Sequence, residues 1–344
     1  MRYFLGLIVC SLLAGAAFTV LGEAKSLRCN PRGIDDDWYI AYCEEIEGHQ
    51  DHPAFLFGIA DAPSAAQTAD VLMLGNSTIQ IAFSNTVARD FFDASPYSFF
   101  VMGFGHTESV RWMLEVLEAR PYRPKVALLN LSSQWLDLES SERADYLLHH
   151  RVETSIRTWV RFQYQRLQRR ACPPGAAGPW CGHAMTGLRS RSTGIWDDPV
   201  NSWFAGTREE RGRDCAVPPN ENGDLVCKSG HTLRSVTIAD AEPYNSREAR
   251  NLRRVIDLLD ISPECVFVTA TPQDDTPIHK ARAIAADFGL TFIEPDMEGL
   301  YTADKVHLYL SSAELYSERF LPRLMQAAAP CLSGATPQSA ALDG

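Results

Sequence analysis

Asp70–Phe83 reads DVLMLGNSTIQIAF: a short apolar run, a Gly75-Asn76-Ser77-Thr78 interruption, and a second apolar run. Val71–Leu74 suits a strand buried on both faces. A serine placed just after it has three readings: it caps the next helix, it belongs to a glycosylation acceptor with Asn76 and Thr78, or it is a nucleophile. The acceptor reading fails on position, since a residue ending a buried strand is poorly exposed. Asn130-Leu131-Ser132 fails the same way.

Further runs of this type follow at 97-YSFFVMG-103, 125-KVALLNL-131, 265-CVFVTA-270 and 290-LTFIE-294. Helical patterns lie between them. Residues 107–120 begin with Thr107 and Glu108 and stop before Pro121, and residues 277–289 begin with Pro and end with Gly. Such alternation predicts an α/β fold, with helices on both faces of a parallel sheet of about five strands. It lapses over about residues 146–246. There a basic amphipathic helix over 151–170, with Ile156, Val160 and Leu167 near one face, precedes a Gly/Pro/Trp/Cys-rich stretch, read as a disulfide-stapled insertion.

At 344 residues, 45% hydrophobic and 22% charged, the composition is that of a globular protein. A net charge of −11 excludes generic nucleic-acid binding. Residues 3–21 are uncharged and apolar after Arg2, so residues 1–24 read as a signal peptide or signal-anchor, the balance favouring an uncleaved anchor. Membrane attachment would then run through this helix. Residues 25–66 read as a juxtamembrane segment, 67–330 as the main domain, and 331–344 as a mobile tail. Export agrees with eight cysteines besides Cys10. Close spacing pairs Cys29 with Cys43, Cys172 with Cys181 and Cys215 with Cys227, leaving Cys265 and Cys331; free buried thiols remain the alternative. His49-x-x-His52 and His149-His150 lack the further ligands a metal site needs. No metal or organic cofactor is expected.

Ligands of an open parallel sheet sit at the carboxyl ends of its strands. Ser77 ends the first strand, Gly105 and His106 follow the second, Gln134 and Trp135 follow the third, and Asp304 and His307 come after the last. An imidazole that takes the serine proton and a carboxylate that orients the imidazole make a nucleophile. Ser77, His307 and Asp304 are therefore the candidate catalytic residues. The N–H groups of Ser77 and Gly105 and the amide of Gln134 are candidate oxyanion donors. Asn76, His106 and Trp135 are candidate substrate contacts. Ser311 with Glu314 matches a capping box that would start the next helix.

Gly75-Asn76-Ser77, the glycine at 105 and Asp304-Lys305-Val306-His307 resemble the sequence blocks of SGNH/GDSL-type hydrolases and acyltransferases. The resemblance covers roughly residues 68–135 and 250–325. It implies a flavodoxin-like three-layer α/β/α fold, with Ser77 as nucleophile, His307 as base and Asp304 as its orienter. Two departures stand out: Gly-Asn-Ser replaces the family's Gly-Asp-Ser, and Ser132-Ser133-Gln134-Trp135 replaces its Gly-x-Asn-Asp block. The second is similar to a Ser-Pro-Gln-Trp stretch in membrane-anchored members that act in D-alanylation of lipoteichoic acid. What the resemblance implies is cell-envelope O-acyl transfer or ester hydrolysis on a glycan, in a bacterial periplasm or at a cell surface. Its partners would be an acylated glycan or acyl-donor protein, and it admits a membrane acyltransferase. The rivals are a secreted carbohydrate or lipid esterase using water, and a non-catalytic envelope assembly protein on the same scaffold.

Overall fold

The computed structural model describes residues 29, 37–43, 48–49, 51–59, 62–104, 109–132, 136–137, 142–171, 186–196, 220–221, 223–227 and 232–334. In chain order these form β1 (Trp38–Cys43), β2 (Gly48–His49), α1 (Asp51–Phe57), α2 (Ala62–Thr68), β3 (Val71–Asn76), α3 (Ser77–Ala82) and α4 (Asn85–Asp93). Next come β4 (Phe99–Phe104), α5 (Ser109–Ala119), β5 (Val126–Asn130), α6 (Glu142–His149), α7 (Arg151–Ala171), β6 (Thr186–Ser190), β7 (Leu225–Val226) and β8 (Thr232–Ser235). The chain ends through α8 (Ser246–Leu259), β9 (Val266–Thr269), α9 (Ile278–Phe288), β10 (Thr291–Phe292), β11 (Tyr301–Thr302) and α10 (Leu310–Leu332).

All five apolar runs contribute strands to one parallel sheet, ordered β10-β9-β5-β3-β4. Strand pleating sends alternate residues to opposite faces, and both faces are covered. Leu72, Leu74, Phe100, Met102, Ala127 and Leu129 pack with residues of α1, α5, α8 and α9. Val71, Met73, Val101, Val126, Leu128 and Phe267 pack with α3, α4 and α10. Each fully buried aliphatic side chain stabilises by roughly 2 kcal/mol, which is why these strands carry no polar face. From β3 the chain first adds β4 on one side, then crosses to β5 on the other. The order reverses at β3 and β5, so their carboxyl ends open the crevice where such sheets bind ligands.

The fold begins earlier than the sequence suggests. β1, α1 and the start of α2 fall in the segment 25–66 expected to be juxtamembrane, and they pack into the folded body. β1 pairs antiparallel with β6 of the insertion, and Tyr39, Ala41, Phe55 and Leu56 are buried in the main core. The pairing joins segments about 150 residues apart, beyond the reach of any local pattern. Buried Arg189 in β6 donates from Nε to Gly194 O (2.8 Å) and from a guanidinium nitrogen to Val101 O (2.9 Å). Val101 N donates to Thr193 O (2.7 Å), so the insertion covers the open edge of β4.

The fold also ends later. α10 runs through Pro330 to Leu332, and Cys331 is disulfide-bonded to Cys265, where a mobile tail was expected from residue 331. Cys29–Cys43 is the second disulfide with both partners described. Cys227 is also disulfide-bonded, whereas Cys172, Cys181 and Cys215 lie outside the described residues. The capping box expected of Ser311 and Glu314 does not form, because α10 starts with Tyr309 at its N-cap. Ser312, inside the first turn, accepts the Tyr301 N–H instead (2.8 Å). No described helix is long and apolar enough to cross a membrane; residues 3–21 lie outside the described set.

Candidate active site

The strand-to-helix junction that holds Ser77 is set by its neighbours. Asn76, not Ser77, is the N-cap of α3: its Oδ1 accepts the N–H of Thr78 at 3.2 Å. Ser77 is therefore the first helical residue, with its hydroxyl not engaged in capping. Asn76 itself is buried, with its Oδ1 also accepting from the Thr78 hydroxyl.

Beneath Ser77 lies a closed set of buried polar groups. Thr78 Oγ donates to Asn76 Oδ1 (2.5 Å) and meets Ser132 Oγ at 2.7 Å. Asn130, the last residue of β5, donates from Nδ2 to Thr78 Oγ1 (2.7 Å) and Ser132 Oγ (2.6 Å). Its Oδ1 accepts the N–H groups of Ser132 (3.1 Å) and Thr271 (2.9 Å). Asn130 thus fastens the ends of β3, β5 and β9 together at the crevice. Sequence reasoning missed this role, although Asn130 is the polar residue that interrupts KVALLNL.

Small residues let the strands close. A Cβ on Gly103 would lie 2.4 Å from Asn76 O and 2.5 Å from Gln80 Cγ. One on Gly75 would lie 2.9 Å from Asn130 Cβ. Any side chain at either position pushes on the backbone that aims Ser77.

His307 and Asp304 arrive from the other end of the chain. Thr302 and Leu308 form an antiparallel bridge, and Ala303 N donates to His307 O (2.9 Å), closing a tight loop just before α10. The insertion braces it, since β11 pairs with β8. Lys305 takes a left-handed φ of 76°, an uncommon choice for a bulky residue. Its carbonyl accepts the Asp274 N–H at 2.8 Å, which holds the turn.

The result is a continuous chain of polar contacts. His307 Nε2 lies 3.0 Å from Ser77 Oγ, and His307 Nδ1 lies 2.7 Å from Asp304 Oδ2. Asp304 Oδ1 also accepts the N–H groups of His307 (2.8 Å) and Val306 (3.1 Å). Burial alone would raise the Asp304 carboxyl, but the hydrogen bond and charge of His307, with the two N–H donors, outweigh it and hold the carboxyl at about 2. An ionised carboxylate only accepts, so Nδ1 carries the imidazole proton and Nε2 offers its lone pair to the Ser77 hydroxyl. His307 is largely shielded, with its side chain 13% exposed, while Asp304 is open at 41%.

The structure thus joins Ser77, His307 and Asp304 in one hydrogen-bonded constellation. The N–H of Ser77 lies in the first turn of α3, where no intrahelical acceptor exists. Gly105, His106, Gln134 and Trp135 fall outside the described residues. His52 is buried against Phe104 and Trp112, with ring centroids 5.3 and 6.2 Å away. Compared with models of known families, with curated proteins and with solved structures, the chain matches none of them.

Proposed function

We propose that the protein is a serine-dependent acyl-transfer enzyme of SGNH type, on a flavodoxin-like three-layer fold, acting on an acyl ester of an exported cell-envelope glycan. The observation that carries this reading is the Ser77–His307–Asp304 relay, at 3.0 and 2.7 Å, beside the point where the strand order reverses. Ser77 Oγ bonds to the acyl carbon while its proton passes to His307 Nε2. Asp304 stabilises the resulting imidazolium. The tetrahedral oxyanion is met by the Ser77 N–H, with Gly105 N–H and the Gln134 amide as the further proposed donors. Its collapse expels the sugar oxygen, which takes the proton from His307 and leaves an acyl-serine. In the second half an acceptor hydroxyl gives its proton to His307 as its oxygen attacks the acyl carbon, and collapse breaks the bond to Ser77 Oγ, which takes that proton back from His307 Nε2.

The glycan and the envelope rest on the family resemblance, including Ser132-Ser133-Gln134-Trp135. Export is supported by the apolar residues 3–21 and by the two disulfides. The test is a fluorophosphonate probe applied to the oxidised full-length chain. Labelling of wild type that is lost in Ser77→Ala and His307→Ala is the expected result. A folded wild type that stays unlabelled would overturn the proposal. Screening sugar hydroxyls against water as acceptors then distinguishes transferase from hydrolase.

A further inference from the structure

Helix α7 is amphipathic the wrong way round. Its buried residues are Thr154, Thr158, Phe162 and Gln165, a face that is mostly polar. Val152, Ile156, Trp159 and Leu167, spaced to form one stripe, are 75%, 51%, 54% and 61% exposed. An apolar stripe on a surface helix ordinarily faces the core. Here it faces away.

The charges say what could cover it. Over Arg151–Ala171 the helix has six arginines against one glutamate, in a chain of net charge −11. At 100° per residue, exposed Arg166 falls on one flank of the stripe and exposed Arg170 is in line with it, while Arg157, 3.6 Å from Glu153, lies further round the helix and Arg161 on its far side. A second copy using the same face would set arginine against arginine, which disfavours self-association. An anionic bilayer complements the stripe and the arginines beside it. The aliphatic side chains enter the boundary between headgroups and acyl chains, Trp159 sits at that level, and Arg166 and Arg170 meet lipid phosphates.

We infer that α7 is an interfacial helix that lies on an anionic lipid bilayer, with Val152, Ile156, Trp159 and Leu167 dipped into it. The inference is independent of the chemistry at Ser77.

The test reconstitutes the full-length chain into phosphatidylcholine vesicles with and without phosphatidylglycerol, using lipids brominated on their acyl chains. The Trp159 signal is the difference between wild type and Trp159→Phe. Quenching of that signal, stronger with phosphatidylglycerol, is expected. Changing Arg166 and Arg170 to Gln should lower the docked fraction about fivefold per arginine. Circular dichroism and thermal unfolding should match wild type in all these variants, showing that they fold. A Trp159 signal untouched by brominated lipid but shielded from aqueous iodide means a protein cover, whether a second copy or another segment, and overturns the inference. A signal open to iodide means a bare helix and overturns it too. Equal quenching in both vesicle types removes the anionic requirement and with it the stated partner.

Discussion

Asn130 and Thr78, 52 residues apart in sequence, share a 2.7 Å hydrogen bond that ties the end of β5 to the residue after Ser77. Removing the carboxamide in Asn130→Ala takes a donor from the buried hydroxyls of Thr78 and Ser132, which keep each other, and leaves the buried N–H groups of Ser132 and Thr271 without their acceptor. An unsatisfied buried polar group costs about 1–3 kcal/mol, so a loss of at least ~3 kcal/mol is expected in urea unfolding. Probe labelling at Ser77 should slow even where the variant is still folded.

Ser77→Ala should be nearly neutral for stability, within about 0.5 kcal/mol, because Asn76 supplies the cap. The same change should cut ester turnover by at least about 10⁴-fold, as should His307→Ala. The double variant should be no worse than either single one, since the two residues act as a unit. Additive losses, measured on an activated ester, would count against a shared relay.

Asp304 makes stability depend on acid in a defined direction. Its carboxyl is held at about 2, below the ordinary 3.8, so the folded state binds its proton less readily than the unfolded chain. The stabilisation is complete above about pH 4 and is lost as the pH falls toward 2. Urea midpoints of wild type and Asp304→Asn should therefore converge over that window. Solvent reaches Asp304, so the stability effect is small. The catalytic effect of Asp304→Asn is not: roughly 10⁴-fold, from loss of the imidazole tautomer that Ser77 needs.

Gly103→Ala would force a methyl against Asn76 O and Gln80. Overpacking of this kind costs about 1–3 kcal/mol. Thermal unfolding should show that loss. A parallel fall in labelling would show that the displaced strand ends also carry Ser77 away from His307.

Cys265 and Cys331 close a loop with a sequence separation of 66. Replacing both by Ser should destabilise by about 4 kcal/mol, the loop-closure value for that length. Chemical denaturation of oxidised wild type beside the double variant measures it.

Much of this was legible from residues alone. The five sheet strands announce themselves because burial on both faces forbids polar alternation. Ser77 stands out because it follows a buried strand, and Asp304 with His307 because a carboxylate three residues before an imidazole comes after the last of those strands. What stayed hidden was non-local or geometric. No local pattern links Trp38–Cys43 to Thr186–Ser190, since their pairing is chosen by the assembled core. Ser311 and Glu314 have the spacing of a capping box, yet the Thr302–Leu308 bridge sets where the helix begins. Asn76 and Asn130 read as strand ends, and only the sheet register shows them facing each other through Thr78. The outward stripe of α7 could not be told from an inward one by periodicity, which gives a helix its faces but not their direction.

Ser77 and His307 are separated by 230 residues, and the contact between them has a consequence for a chain that emerges from its N-terminus. Ser77 is made 230 residues before His307. β1 must likewise wait for β6. Until the Asp304–His307 loop closes on the sheet the Ser77 hydroxyl has no imidazole beside it, so a chain stopped short of that loop carries an ordinary alcohol there.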